Sequence, residues 1–196
     1  MAKNNRFGQA KVLTDSELSR IRKQLKSPRD RLLFDILKYT GERIGAVVQL
    51  KQWDIFSPKG QLLDDITFRP ETRKASNGKR ETRQVTVHPA LAESLAAYPL
   101  HKGNPWLFPS CVKKPDEAHI TVQGFDYLLR VAIDKAGLAG KGISSHSFRR
   151  TVITKLDEQG VSPRVIQAVT GHRSLASVQR YIDASPERIR AAVNLL

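Results

Sequence analysis

Hydrophobic positions along most of the chain recur at the three-to-four-residue spacing of an amphipathic helix. After Ser27-Pro28, for example, Leu32, Leu33, Ile36 and Leu37 form one apolar stripe. The serine is a favourable N-cap, and the proline fits the first helical position, where its missing N–H breaks no bond. Comparable stripes and caps predict helices over about residues 14–25, 28–40, 43–50, 89–97, 122–136, 145–159, 163–171, 175–182 and 186–196.

Between residues 53 and 87 the pattern changes to short segments with β-branched residues and turn signals between them. Segments 53–56, 61–68 and 82–87 predict strands, and Asn77-Gly78 marks a hairpin tip before the last of them. We therefore predict an α+β fold, a mostly helical domain with a small three-stranded antiparallel sheet. Residues 1–13 are expected to form a basic leader. Residues 14–196 are expected to form one domain that includes the C-terminal helix 186–196.

The charge of the chain narrows the choice of partner. The chain carries 33 Lys and Arg against 19 Asp and Glu, a net charge of +14. Such an excess favours a polyanionic partner, either nucleic acid or an anionic membrane surface. Basic residues do not gather opposite an apolar helix face, which disfavours the membrane. No apolar run is long enough to span a bilayer, and the single cysteine excludes an internal disulfide, so we expect a cytoplasmic protein.

One stretch concentrates the positive charge. From Arg69 to Arg83 the chain has six basic and two acidic residues around the predicted hairpin tip. A basic two-stranded ribbon has a shape that fits a DNA groove, although it is equally typical of a solvated surface. The candidate DNA-binding residues of this stretch are Arg73, Lys79, Arg80 and Arg83. Two further candidates, Arg150 and Arg173, lie within the motifs described next.

A second set of residues has the chemistry to act on a phosphate. His146 and Arg149 stand at positions i and i+3 of a predicted helix and therefore share a face. An imidazole can take a proton near pH 7, and a guanidinium matches two phosphate oxygens. The same chain contains Arg43 after a helix stop, the pair Gly171-His172, and Tyr181 nine residues beyond that histidine. Each signal alone is more typical of an ordinary surface or core residue.

In their order and spacing, however, these signals resemble the tyrosine recombinase (phage integrase) family. The resemblance runs from about Leu13 to Ile182 and implies the catalytic fold of that family. The matching segments are Thr40-Gly41-Glu42-Arg43-Ile44, His146-Ser147-Phe148-Arg149-Arg150-Thr151, Gly171-His172-Arg173-Ser174 and Tyr181.

The resemblance implies a division of labour around one scissile phosphate. Arg43 and Arg149 would clamp its non-bridging oxygens and stabilise the five-coordinate transition state. Tyr181 would attack phosphorus and form a 3′-phosphotyrosyl link. His146 would be the base for Tyr181, and His172 would donate a hydrogen bond to a phosphate oxygen. No metal or other cofactor is needed in this scheme, because side chains supply the cations.

The general acid is left open between two lysines. The family places this lysine on the hairpin before its tip, which favours Lys74. Lys79, just past Asn77-Gly78, is the alternative. Either lysine would protonate the departing 5′-oxygen.

The sequence departs from the family pattern in two ways. The family usually has Glu or Asp three residues after the first arginine, whereas this chain has Ala46. Glu42 precedes that arginine and is expected to point elsewhere on a helix. Typical members also carry an N-terminal helical domain that binds the core DNA site, and we expect this domain to be absent. Two explanations stay open: the sequence is a shortened piece of a longer protein, or it is a naturally short member, as the fimbrial inversion recombinases are.

The resemblance implies a site-specific recombinase of the integrase, excisionase or invertase type. Its partner would be double-stranded DNA in the nucleoid of a prokaryote or a phage-infected cell. The last helix would couple protomers in a homotetramer on DNA, with a monomer or weak oligomer when free and no membrane association. Two alternatives are a DNA-binding relative with weakened or lost cleavage and a nicking-closing enzyme similar to type IB topoisomerases.

Overall fold

The computed structural model describes residues 9–73, 81–111, 118–182, 189–190 and 193–194. The predicted mixture of helices and a small sheet is confirmed. The helices are α1 (Asp15–Gln24), α2 (Pro28–Thr40), α3 (Ile44–Val47), α4 (Pro89–Ala96), α5 (Val122–Lys135), α6 (Ser145–Glu158), α7 (Pro163–Thr170) and α8 (Leu175–Gln179). The strands are β1 (Asp65–Phe68) and β2 (Arg83–Thr86).

Local capping chemistry sets several helix ends where the sequence predicted them. At α1 the Thr14 hydroxyl accepts the Glu17 N–H, and the Glu17 carboxylate accepts the Thr14 N–H, each at 3.2 Å. This reciprocal pair satisfies two backbone donors that the helix leaves unpaired. At the other end of the next helix, Gly41 takes φ of +58° and stops α2.

The prediction of a third strand at residues 53–56 is wrong. In the part of the chain that the structure describes, β1 and β2 form an antiparallel pair, with Phe68 opposite Arg83. Gln52–Asp54 instead forms a 3₁₀ turn, because the Asp54 carboxylate accepts the Lys51 N–H (2.8 Å) and pairs with a distant arginine. Phe56 keeps one isolated bridge, to Leu62. The predicted hairpin tip, Asn77-Gly78, lies outside the described residues.

The main hydrophobic core forms around α2, which packs against α4 and α6. Phe34 of α2 meets Phe148 of α6 edge to face, with ring centroids 4.8 Å apart. A smaller cluster of Ile153, Ile166 and Val178 ties α7 and α8 to the far part of α6. This second cluster fixes the segment that follows α8, where Tyr181 lies.

The two ends of the chain are described only in part. Of the predicted leader, residues 9–13 contact the body of the molecule: Leu13 is buried and its N–H donates to the Thr151 hydroxyl at 2.8 Å. Of the predicted last helix, Ile189, Arg190 and Val193 have helical backbone, and most of the remainder lies outside the described residues. No described helix is long and apolar enough to cross a membrane.

Candidate active site

Arg43 lies at the candidate site directly after the end of α2. Gly41 adopts a left-handed conformation that turns the chain sharply, and an added Cβ there would lie 3.2 Å from Val152. After this turn Glu42 is buried, while Arg43 is the exposed N-cap of α3. The turn therefore sends two consecutive charged side chains into different surroundings.

Arg149, on α6, also lies at the end of α2. Arg149 is 6% exposed, and its Nη1 donates to the Gly41 carbonyl at 2.9 Å. That carbonyl belongs to the C-terminal end of α2, where helical carbonyls have no partner within their own helix. The guanidinium also lies against the His172 ring, with Nε donating to Nε2 at 3.2 Å. Arg149 thus joins α2, α6 and the residues after α7.

The contacts of His172 assign its tautomer. The buried Thr170 hydroxyl donates to the Ile166 carbonyl at 2.6 Å, so its oxygen is free to accept from His172 Nδ1 at 2.7 Å. The proton then sits on Nδ1, and Nε2 is the acceptor for Arg149. In this tautomer the further approach of Arg149 Nη2 to Nδ1 at 3.1 Å joins two donors, so we do not count it as a hydrogen bond.

Tyr181 follows α8 at the same surface. Its backbone N–H donates to the Val178 carbonyl at 2.9 Å, and its ring packs on the small second core cluster. The ring centroids of Tyr181 and His172 are 6.0 Å apart, with 53° between the planes. Tyr181 is half-buried, so its ring is anchored while the residue keeps contact with solvent.

His146 lies on the first turn of α6 and is exposed. Arg149 lies three residues further along the same helix and is buried. The two therefore share a helix face but differ in their contact with solvent.

The electrostatics of the site favour an anion. Burial, followed by the positive charges of Arg149 and two further arginines, lowers the pKa of the His172 imidazole to about 3. Burial likewise lowers the pKa of Arg149 to about 10, although Glu42 opposes this shift. At neutral pH His172 is therefore uncharged, and the arginines carry the positive charge of the site.

An acidic residue that sequence reasoning set aside lies beneath these groups. The expectation that Glu42 points elsewhere on a helix is wrong, because Glu42 lies between α2 and α3. Its carboxylate is hydrogen-bonded to Arg83 and lies 4.0 Å from Arg149 Nη1. The signal that could have found it is Gly41: a glycine stop before Glu42 removes it from the helical register.

The candidate DNA-binding residues fall into distinct environments. Arg83 is buried and bonded inside the protein, and Arg150 is half-buried and donates to the Ala10 carbonyl at 2.7 Å. Arg73 and Arg173 line a polar cleft of about 980 Å³ beside His172. Lys74, Lys79 and Arg80 lie outside the described residues.

A model of the phage integrase family matches residues 11–188 of this chain. The chain belongs to the phage integrase family. Among curated relatives, this integrase-family chain is 26% identical over 192 residues to a tyrosine recombinase of Pseudothermotoga lettingae, covering 94% of this chain and 60% of the relative.

Two solved structures share the integrase-type fold. XerA recombinase superposes with a TM-score of 0.71 at 23% identity, covering 95% of this chain and 66% of that one. XerH recombinase, bound to its difH substrate before cleavage, superposes with a TM-score of 0.68 at 23% identity, covering 93% and 53%. This chain therefore spans less than two thirds of the length of each of these three proteins.

Proposed function

We propose that this chain is the catalytic domain of a site-specific DNA recombinase, which cleaves and rejoins strands through a 3′-phosphotyrosyl intermediate. The observation that carries the proposal is the meeting of Arg149, His172 and Tyr181 at one surface. Arg149 comes from α6, and the other two follow α7 and α8. A phosphate clamp, a neutral imidazole and a tyrosine within contact of one another suit phosphoryl transfer.

In the proposed cleavage step the Tyr181 oxygen attacks the scissile phosphorus and the bond to the 5′-oxygen breaks. Arg43 and Arg149 bind the non-bridging oxygens and stabilise the charge that builds up in the transition state. His146 takes the phenol proton, since a tyrosine hydroxyl is a weak nucleophile until an adjacent base removes its proton. A 5′-hydroxyl then attacks the same phosphorus, the bond to the Tyr181 oxygen breaks, and the strands are joined.

Two further proton positions complete the step. For His172 to donate to a phosphate oxygen, the proton must sit on Nε2. Thr170 permits this tautomer by turning its hydroxyl from the Ile166 carbonyl to Nδ1, since the two acceptors are 2.6 and 2.7 Å from it. Arg149 Nε, which donates to Nε2 at 3.2 Å, then turns to the phosphate instead. We propose that Lys74 protonates the departing 5′-oxygen, with Lys79 as the alternative.

Double-stranded DNA is the proposed partner. The net charge of +14 and the polar cleft lined by Arg73, Arg164 and Arg173 support it. The DNA-bound XerH complex has the same fold. Because the Arg83 side chain is only 5% exposed, we assign it to supporting the site. We keep Arg173 as a DNA contact, and Arg73 as one that also faces Glu42, since its side chain lines the cleft but is only 13% exposed. We further propose a homotetramer on DNA, coupled through the C-terminal segment.

The test is a covalent adduct. The probe is a labelled pool of duplexes with randomised sequence, each nicked near its centre so that cleavage releases a short fragment and traps the intermediate. We expect a protein–DNA adduct on a denaturing gel, formed in the presence of EDTA and lost in Tyr181→Phe. Tyr127→Phe, at an exposed tyrosine of α5, is the matched control and should form the adduct normally.

The other outcomes separate the alternatives. Binding of duplex without any adduct would contradict the proposal and favour a DNA-binding relative that has lost cleavage. Relaxation of any supercoiled plasmid without sequence enrichment in the adducts would favour a nicking-closing enzyme instead.

A further inference from the structure

The ends of α2 and α7 meet beneath the candidate active site. Arg83 donates to the Thr40 carbonyl at the end of α2 (3.3 Å) and to the Val169 carbonyl near the end of α7. Arg149 donates to the Gly41 carbonyl. Cations are favoured here, because the last carbonyls of a helix lack partners and carry its partial negative charge.

Glu42 adds a full negative charge to this junction. Its side chain is 1% exposed, and both oxygens are engaged. Oε1 accepts the Arg43 backbone N–H at 2.7 Å and lies 4.0 Å from Arg149 Nη1. Oε2 accepts from Arg83 and lies 3.9 Å from Arg73 Nε. A single carboxylate therefore faces groups of four arginines.

The ionised form of Glu42 is the relevant one. Burial opposes ionisation, but Arg83 and the Arg43 N–H together keep the pKa of Glu42 below its usual value. Ala46, the position where the family resemblance suggested an acid, is buried in the main core instead. Glu42 is thus placed to hold both Arg43, through its backbone, and Arg149, through its charge.

We propose that Glu42 is the acidic positioning residue of this active site, whose carboxylate fixes Arg43 and Arg149 in the geometry that binds the scissile phosphate. This inference rests on the proposed function. The competing role is purely structural, in which Glu42 serves only to neutralise the buried Arg83. The two roles differ in what happens when Arg83 is removed as well.

The experiment compares Glu42→Gln, Arg83→Met and the double variant Glu42→Leu/Arg83→Met with the wild type. Glu93→Gln, at an exposed acid on α4, is the matched control. Three quantities are measured: the melting temperature, the Kd for the duplex most enriched in wild-type adducts, and the single-turnover rate of adduct formation at saturating duplex. Measuring Kd and rate separately keeps DNA binding apart from active-site geometry.

We expect Glu42→Gln to slow adduct formation about 100-fold, as for misplaced catalytic groups, with little change in Kd. The double variant should recover the melting temperature, because an apolar pair can replace a buried ion pair. Its adduct formation should remain slow. Arg83→Met alone should lower the melting temperature, because it leaves the buried Glu42 without its strongest partner. It should still react faster than the double variant, because Glu42 continues to face Arg43 and Arg149.

Three results would overturn the proposal. Glu42→Gln could react as fast as the wild type, the double variant could recover both stability and rate, or Arg83→Met could be as slow as the double variant. In each case an active wild type leaves the proposed function standing. A wild type that forms no adduct would overturn both proposals together.

Discussion

At the scale of single residues, His172 shows how strongly the surroundings change a side chain. Its ring lies against the buried Arg149, and Arg43 and Arg83 are close enough to act on its charge. Burial, together with these three positive charges, lowers its pKa to about 3. A histidine in the unfolded chain titrates near its ordinary pKa of about 6.5. The folded protein therefore binds fewer protons at this group than the unfolded chain does between these two values.

This difference predicts an acid-sensitive stability. The contribution of neutral His172 is fully present above about pH 6.5 and is lost as the pH falls towards 3, because the unfolded state takes up the proton first. We expect the melting temperature of the wild type to fall from pH 7 to pH 4, and that of His172→Gln to fall less steeply. Calorimetry between pH 7 and pH 4 measures the two melting temperatures.

The matched control is His101→Gln, at an exposed loop histidine. It should keep the steep fall of the wild type. Parallel curves for the wild type and His172→Gln would contradict the prediction.

At the scale of elements, the site depends on how α2 and α7 end. Both helices stop at a glycine with positive φ, Gly41 at +58° and Gly171 at +63°. At Gly171 an added Cβ would lie 2.6 Å from Arg83 Cδ and 3.1 Å from Arg73 Nη2. This glycine therefore serves both the backbone turn and the close approach of two arginines, directly before His172.

We predict that Gly171→Ala damages both stability and chemistry. Strain at positive φ costs about 1–2 kcal/mol, and moving the arginines or the His172 backbone should slow adduct formation at least about tenfold. Gly160→Ala is the matched control, because Gly160 has φ of +75° but an added Cβ there meets no heavy atom within 4 Å.

The control should lose comparable stability from strain and keep the wild-type rate of adduct formation. Denaturant unfolding and single-turnover assays measure the two effects. If both variants reacted at the wild-type rate, close packing at Gly171 would have no role in the site.

At the scale of the whole molecule, apolar side chains remain at the surface in α7 and in the C-terminal segment. Val165 and Val169 of α7 are exposed, as are Ile189 and Val193 of the last segment. Exposed apolar residues can form a surface that pairs with another protomer. They support the proposed assembly on DNA.

The assembly is testable by sedimentation with the duplex enriched in wild-type adducts. We expect the full chain to form a multi-protomer complex, and a chain cut after Ala184 to bind as a smaller species. Ile189→Asp should have the same effect without removing the segment, because a charge disfavours an apolar contact. Tyr127→Asp, at another exposed apolar position, is the control and should assemble normally. Unchanged assembly in both test variants would contradict the proposal.

Much of the fold was predictable because its signals are local. Caps such as Thr14 with Glu17, helix-opening prolines and the glycine stop at Gly41 act over a few residues, and the structure has helices where they stand. The predicted strand at residues 53–56 failed for a reason that is only partly local. Asp54 pairs with Arg69, fifteen residues away, and this contact helps to stabilise a turn.

The sequence by itself determined the order of the helices, the family, and the candidate residues Arg43, His146, Arg149, His172 and Tyr181. Only the tertiary structure decided how these residues are supported: that the buried Arg83 pairs with Glu42 and that Thr170 bonds the His172 ring. Periodicity and capping depend on neighbours within a turn or two of chain. The contacts that organise the site instead join residues up to 108 positions apart, as Arg149 does with Gly41, and they exist only once helix ends meet in the folded molecule.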